Sequence, residues 1–448
     1  MTLNADQILA LAPDASSAKA GSGLSGPAKW SNLGQSEAAL WGECQGSGKD
    51  PYRTQIDLSE PAFKCSCPSR KFPCKHGLGL YLLYAAHPAR FVAQTPPQWT
   101  LDWLEGRLKR SERKLDAGAA KTPEQAAASA AQTAKREEKR ETKVARGLEE
   151  LQTWLQDLAR EGFATVRNRG PGYWDAIAAR MVDAQAGAIA SRLRRAGGMC
   201  FQTTLPDWEG HLGRELASIY LLSKAGQQGE ALPAALQSDV RALVGWSTSQ
   251  EEVLAQSGVS ERWQVLAQRS FDEEKIRSRI TWLRAKASGR WALVLYFAVG
   301  TLGFDKPLSV GTEFDAELVY FPGAWPVRAL IKTQGALGAI DAMPASLPDL
   351  DTSLHEYTEA IALNPFLERY PLALAGVTPI MDGATLALRT ADGRQLPLHP
   401  AFRHAWPLLA LCGGHPFLVI GEWDGHALMP LAASADGRLF NFESDFGP

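Results

Sequence analysis

Three cysteines and a histidine, Cys65, Cys67, Cys74 and His76, fall within twelve consecutive positions of a 448-residue chain that holds only six cysteines. Thiolate sulfur and imidazole nitrogen are the donors that zinc and its softer neighbours take from proteins. In a reducing compartment so tight a Cys/His group reads as a metal site before a disulfide. Adjacent i,i+2 cysteines also make a strained bridge with each other.

The elements around the group are set up to bring it to one point. Tyr52 to Leu58 alternates as a strand, Ser59-Glu60-Pro61 reads as a tight turn, and Phe63 to Cys67 as the returning strand. Residues two apart on a strand share a face, so the Cys65 and Cys67 thiols project together. "GLGLYLLYAAH" then reads as an apolar helix stopped by Pro88. Two residues two apart do not share a helical face. Cys74 therefore belongs to the incoming turn, with His76 reaching back from the first helical turn. Hairpin and helix start converge on a closed Cys₃His tetrahedron, the form in which structural zinc is held. Four protein ligands leave no open position for an activated water. The expected role is to staple a module of roughly fifty residues that is too small to bury a sufficient core alone.

Three thiolates and one Zn²⁺ sum to a single negative charge. Lys64, Arg70, Lys71 and Lys75 surround it, with no acid between Lys64 and His76. These cations either offset the thiolates and keep them deprotonated, or contact a phosphate or an acidic partner.

The pattern Cys-x-Cys, six residues, Cys-x-His resembles the SWIM zinc-finger family, and all four ligand positions match. "WGECQGSG" and "FKCSCPSRKFPCKH" are similar to bacterial SWIM proteins encoded beside MoxR-type AAA+ ATPases and von Willebrand factor A proteins, over about residues 36–92. The resemblance implies work alongside one of those two partners. DNA or RNA binding, often proposed for SWIM fingers, is the alternative.

Beyond the motif the sequence reads as a multidomain α+β chain: a zinc-stapled hairpin and helix, a helical middle and a β-rich C-terminal domain. Residues 1–35 read as a short helix (Ala5 to Leu11) and a Gly/Ser/Ala linker, and 36–92 as the zinc module. Residues 93–146 read as a helix followed by a charged Ala/Lys/Glu-rich tether, and 147–286 as a helical domain. Leu148, Leu151, Leu155 and Leu158 recur there at helical spacing, and "EEKIRSRITWLRAKA" reads as another helix. Residues 287–448 turn to strands, with Asp-Gly hairpin signals in "TADGRQLPL" and "SADGRLFNF". Formal net charge is −2 overall, but 287–448 carries 9 Lys/Arg against 17 Asp/Glu. The whole molecule is therefore not built electrostatically for nucleic acid.

Other chemistry finds no motif. "GECQGSGKD" fails as a phosphate loop, because Glu43 stands where the first glycine is required and Asp50 at the Ser/Thr position. No GxGxxG opens a helix after a strand, no GxSxG or HExxH is present, and no enzymatic activity is expected. His399, His404, Cys412 and His415 match no familiar metal frame and read as core or surface side chains of a β domain. Cys44 and Cys200 read as packed thiols. Asp349/Asp351 and Asp382/Asp392 read as solvated turns. Between Ala164 and Arg195, six arginines with Tyr173 and Trp174 could grip a phosphate backbone or an acidic protein face, but a plain amphipathic helix has the same composition. "MTLNADQILALAPD" has no basic residue ahead of its apolar run, and "RWALVLYFAVGTLGF" is too short to span a bilayer. A cytoplasmic protein with no membrane partner is expected.

Overall fold

The computed structural model describes residues 3, 5–9, 11–12, 15–46, 50–58, 62–69, 71–116, 123–201, 207–273, 276–299, 304, 308–341, 347–382, 385–435 and 437–443. Two short helices, α1 (Ala5–Leu9) and α2 (Ala15–Ser22), precede a five-stranded sheet. Its strands are β1 (Trp30–Gln35), β2 (Ala39–Cys44), β3 (Tyr52–Asp57), β4 (Ala62–Cys65) and β5 (Val92–Ala93), in the order β4-β3-β2-β1-β5. Neighbours run antiparallel except β1 and β5. The turn expected at Ser59-Glu60-Pro61 lies outside the described residues.

Helix α3 (Lys75–Ala86) covers this sheet and is apolar on nearly every side, burying Leu78, Leu80, Tyr81, Leu82 and Leu83. One side meets the strands and another meets α2. The linker expected through 1–35 is thus corrected: Ala15–Ser22 is a helix. Its small residues let it dock closely. A Cβ at Gly21 would stand 2.7 Å from Leu78 Cβ, and one at Gly79 of α3 would stand 2.7 Å from Leu24 Cβ. Composition that reads as linker is here the composition of a close helix contact.

After α4 (Gln98–Asp116) comes the long α5 (Pro123–Glu161), which runs through the second half of the expected tether and into the helical middle without a break. From Val144 onward it joins a bundle with α6 (Pro171–Asp183), α7 (Gly187–Met199), α8 (Trp208–Gln228) and α9 (Ala234–Val244). The leucine stripe 148, 151, 155, 158 is buried in that core, as its spacing predicts. Arg192 and Glu215 form a bidentate ion pair inside it, with nitrogen–oxygen distances of 2.9 and 3.1 Å. The short α10 (Gln250–Leu254) leads out.

The β-rich region begins earlier than residue 287. "EEKIRSRITWLRAKA" is not helix: β6 (Val259–Glu273), β7 (Ile276–Ala285) and β8 (Trp291–Val299) form a meander. Both faces of β7 are buried. Leu283 and Ala285 enter one apolar cluster, while Trp282 enters another. A strand buried on both faces loses the alternation that identifies strands, and the interspersed arginines complete a false helical pattern. Strands β9 (Thr312–Tyr320), β10 (Ala329–Gln334) and β11 (Gly338–Ala339) finish this sheet, ordered β10-β9-β6-β7-β8 with β11 on β9.

Helix α11 (Leu350–Leu363) leads to a third sheet of β12 (Tyr370–Asp382), β13 (Thr385–Arg389), β14 (Gln395–Pro397), β15 (Phe417–Trp423), β16 (Leu428–Ala435) and β17 (Arg438–Asn441), with α12 (Ala405–Cys412) between β14 and β15. Its order is β14-β13-β12-β15-β16-β17. The Asp-Gly signals fall at the β13–β14 and β16–β17 hairpins, where Gly393 and Gly437 have φ of +90° and +78°. Leu266, Ala267 and Trp282 of the second sheet pack on Ala373, Ile420, Leu431 and Ala432 of the third. The indole N–H of Trp282 donates to the buried carboxylate of Glu422 at 2.9 Å. On its other face the second sheet shares an apolar cluster with the N-terminal module, where Trp263, Val265 and Phe314 join Leu40, Ile56 and Leu80. The small module therefore has borrowed core as well as its own. No helix among the described residues is long and apolar enough to cross a membrane.

Candidate metal centre

Strands β3 and β4 pair with Thr54 opposite Cys65, which places Cys65 at the open end of the hairpin. The strand ends there, and Cys67 sits in the bend just beyond rather than on the strand as its spacing suggests. The chain then loops to α3, where Cys74 is the N-cap in extended conformation (φ −76°, ψ 167°) and His76 is the second helical residue. That is the arrangement the spacing demands, with the thiol in the incoming turn and the imidazole one step inside the helix.

The three Sγ atoms and the His76 ring nitrogen all lie within 4.8 Å of one another. Cys65 Sγ stands 3.7 Å from His76 Nδ1. A zinc tetrahedron with bonds near 2.0–2.3 Å separates its ligand atoms by roughly 3.5–3.8 Å, so the donor set fits the ion in type, number and spacing. Cys74 and His76 are buried, while Cys65 and Cys67 are half-buried at the hairpin end. Cys65, Cys67, Cys74 and His76 would hold one structural Zn²⁺, whose supplied chemistry is a set of four bonds tying the hairpin to the helix.

Neighbouring groups fix the ligands. The Thr54 hydroxyl lies 3.2 Å from Cys65 Sγ across the β3–β4 pair. The Tyr52 ring lies against the His76 imidazole, centroids 4.9 Å apart and planes at 37°. A Cβ at Gly77 would touch the Phe63 ring at 3.0 Å, so glycine there lets the helix start settle on β4. The three sulfurs are too close for all to ionise freely. A hydrogen bond from Cys65 is the largest effect holding Cys74 down, to about 4, and the same contact holds Cys65 well above the ordinary thiol range. Burial raises Cys67. Zinc must therefore displace protons from Cys65 and Cys67 as it enters.

Lys64 and Lys75 are exposed, but Lys71 donates to Ser16 Oγ of α2 at 2.9 Å, which makes it partly a fastener between the ligand loop and the N-terminal helices. Arg70 lies outside the described residues. Arg53, on the strand beside β4, is held 3.5 Å from Glu43.

The remaining candidates resolve into structure. Cys44, Cys200 and Cys412 are buried, and the last two lie against helical carbonyls of Ala196 and Leu409. His404 stacks on Phe442 and His399 faces Asp424, so the C-terminal histidines do not converge; among the described residues the four N-terminal ligands are the one metal-competent group. Asp349 caps α11 through the Thr352 N–H, and Asp351 and Asp392 both pair with Arg394. Asp382 ends β12 rather than lying in a turn. Trp174 is 2% exposed in the bundle core, and Tyr173 is enclosed by Arg169 and Trp154. These aromatics are therefore not presented for base stacking. Thr54 and Tyr52 were invisible as site residues in the sequence, since only strand register brings them to the ligands.

Comparison with family models matches residues 52–85 to the SWIM zinc finger and residues 139–244 to the SWIM-associated four-helix bundle domain. The first spans β3, β4, the ligand loop and nearly all of α3, and the second runs from within α5 to the end of α9. Comparisons with curated proteins and with solved structures give no match. The hairpin-and-helix metal centre and the bundle that follows it are thus a SWIM zinc finger and its SWIM-associated four-helix bundle domain.

Proposed function

We propose that this chain is a non-enzymatic adaptor in which the zinc finger is an architectural element. The observation that carries this reading is the completeness of the ligand set. All four donors come from the chain within bonding range of a single point, which leaves no open position for a metal-bound water. The finger presents Lys64 and Lys75 on the outside, and residues 287–448 carry an excess of acidic residues. A MoxR-type AAA+ ATPase or a von Willebrand factor A protein is the partner implied by the family resemblance.

The test compares the full chain with its Cys74→Ser/His76→Ala variant. Metal content is measured per chain, and binding is measured to the purified ATPase, to the von Willebrand factor A protein and to DNA and RNA over a salt series. The adaptor reading expects one zinc in the native chain, none in the variant, and loss of protein binding with the metal. Steep salt-sensitive nucleic-acid affinity would replace it with the DNA/RNA-binding alternative, because counterion release makes affinity fall in proportion to the phosphates neutralised.

A further inference from the structure

A cleft that includes none of the zinc ligands lies where the β7–β8 hairpin, α11 and the start of β12 meet. It encloses about 100 Å³ and is lined by Arg284, Trp291, Ser353, Glu356, Tyr370 and Leu372 among others. Its polar groups are incompletely used. Arg284 lies over the Trp291 ring at 5.8 Å, but it has no carboxylate within ion-pair distance among the described residues, and its buried Nε has no hydrogen-bond partner among them. Burial of such a guanidinium is costly without a partner. Ser353 on α11 is 1% exposed, and its hydroxyl has no partner among the described residues. Glu356, one turn further along α11, accepts the Tyr370 hydroxyl at 3.2 Å and has its other oxygen uncommitted. Arg284 and Glu356 are close enough to feel each other's charge but do not pair.

Local backbone keeps this space clear. Gly289, in the β7–β8 turn, has φ of +71°, and a Cβ there would stand 3.1 Å from Arg284 Nη2. A side chain at 289 would therefore press on the guanidinium. Trp291, opposite Arg284 in the hairpin, and Leu372 give the cleft apolar walls.

We propose that this cleft binds a small α-amino acid, with its carboxylate on Arg284 and Ser353, its ammonium on Glu356 and a short side chain against Trp291 and Leu372. The pairing of groups selects this class. A phosphate dianion would satisfy Arg284 but meet the Glu356 carboxylate. A simple amine would satisfy Glu356 and leave Arg284 with no anion. A zwitterion satisfies both charges at once, and the small volume excludes long side chains.

The test uses the full-length zinc-loaded chain, so it stands apart from the adaptor reading. Calorimetry and thermal shift are run with glycine, L-alanine, acetate, methylammonium and inorganic phosphate. Saturable binding of glycine or L-alanine is expected, with acetate and methylammonium each at least about tenfold weaker because each leaves one charge unmatched. Arg284→Gln and Glu356→Gln should each weaken L-alanine binding by at least about tenfold. Ser353→Ala removes one hydroxyl without disturbing the helix and should weaken it by roughly fivefold, which keeps the test decisive if the Arg284 variant does not fold. The proposal is overturned if neither amino acid binds at about 50 mM, well above the millimolar constants of weak sites. It is equally overturned if acetate or phosphate binds as tightly as L-alanine, or if binding survives Ser353→Ala and Glu356→Gln unchanged.

Discussion

The zinc finger, residues 52–85, and the threefold longer bundle domain, residues 139–244, are held together by different means. In the bundle, helices α5 to α9 close over a continuous apolar core from Val144 to Val244, with the buried Arg192 paired to the half-buried Glu215. In the finger, the apolar layer under α3 covers β2 and β3 but stops at the hairpin end. From Lys64 to Lys71 every described residue is exposed or half-buried, and only Phe72, edge-on to Phe63, and the buried Pro73 pack the path from β4 to α3. Four ligand atoms supply the rest of that connection. Apolar burial distributes stability over many contacts of about 1–3 kcal/mol each, whereas a metal centre concentrates it in one removable object.

Removing that object is the strongest way to break the comparison. Chelation, or Cys74→Ser/His76→Ala, should forfeit metal binding worth on the order of 10 kcal/mol and release β4 and the ligand loop to protease. The helical circular-dichroism signal of the bundle should persist. Collapse of both together would mean that the cluster shared by the finger and the second sheet couples all the domains. Acidity should act in the same direction. Cys65 and Cys67 are held above their ordinary pKa without metal, so they carry protons that zinc must displace. Apparent zinc affinity therefore falls as pH falls, by up to about tenfold per pH unit for each proton released. Competition with a chromophoric chelator at several pH values measures that slope.

The bundle offers the next largest effect. Arg192→Ala would leave the half-buried Glu215 with only its longer contact to Arg195 at 3.6 Å, and should cost about 2–3 kcal/mol in urea unfolding. The double change Arg192→Met/Glu215→Leu should recover most of that loss, because apolar packing can replace a buried pair. Failure of the double variant to recover would show that the pair, together with the Ser218 hydroxyl that Arg192 also reaches at 3.1 Å, is specifically required by the bundle.

The two regions also differ in what their sequences reveal. The ligands of the finger are local, and their types and spacing state the chemistry, so Cys65, Cys67, Cys74 and His76 could be named before any geometry was known. The leucine stripe of α5 is legible for the same reason, since one helix face buries at a fixed period. Strand β7 is not legible, because two cores claim its two faces. Helix α2 is hidden by the small residues that let it approach α3. The cleft of Arg284, Ser353 and Glu356 is assembled from segments far apart in the chain, each ordinary in isolation. Sequence declares chemistry carried by neighbours along the chain and conceals what register and layer packing bring together.

A smaller perturbation inside the finger separates its apolar layer from its metal. Gly34 on β1 lies beneath the buried Trp41 indole of β2, and a Cβ there would fall inside the ring's van der Waals envelope. Gly34→Ala should force Trp41 to shift and cost about 1–3 kcal/mol, with one zinc still bound per chain. Thermal unfolding with parallel metal analysis checks both points. Loss of zinc in this variant would mean that the layer beneath α3, rather than the ligands, positions the centre.

The smallest expected effect lies where neither device operates. Helix α10 has five residues, and only Val253 is buried. Its stability rests on a capping box: Ser249 Oγ accepts the Glu252 N–H at 3.1 Å, and Glu252 Oε2 accepts the Ser249 N–H at 3.0 Å. An isolated helix so short would not persist in water, so the cap and the flanking elements must hold it. Ser249→Ala removes one acceptor and frees the Glu252 carboxylate, at a cost of about 1 kcal/mol. Because α10 links the bundle to β6, the change should appear as faster amide exchange at Glu252 and Val253, with the global transition of the bundle moved by only a few degrees. Ser249→Asp should restore protection, since a carboxylate caps as well as a hydroxyl and suits the helix N-terminus. Exchange that spread into α9 or β6 would show instead that this connection transmits stability between the bundle and the second sheet.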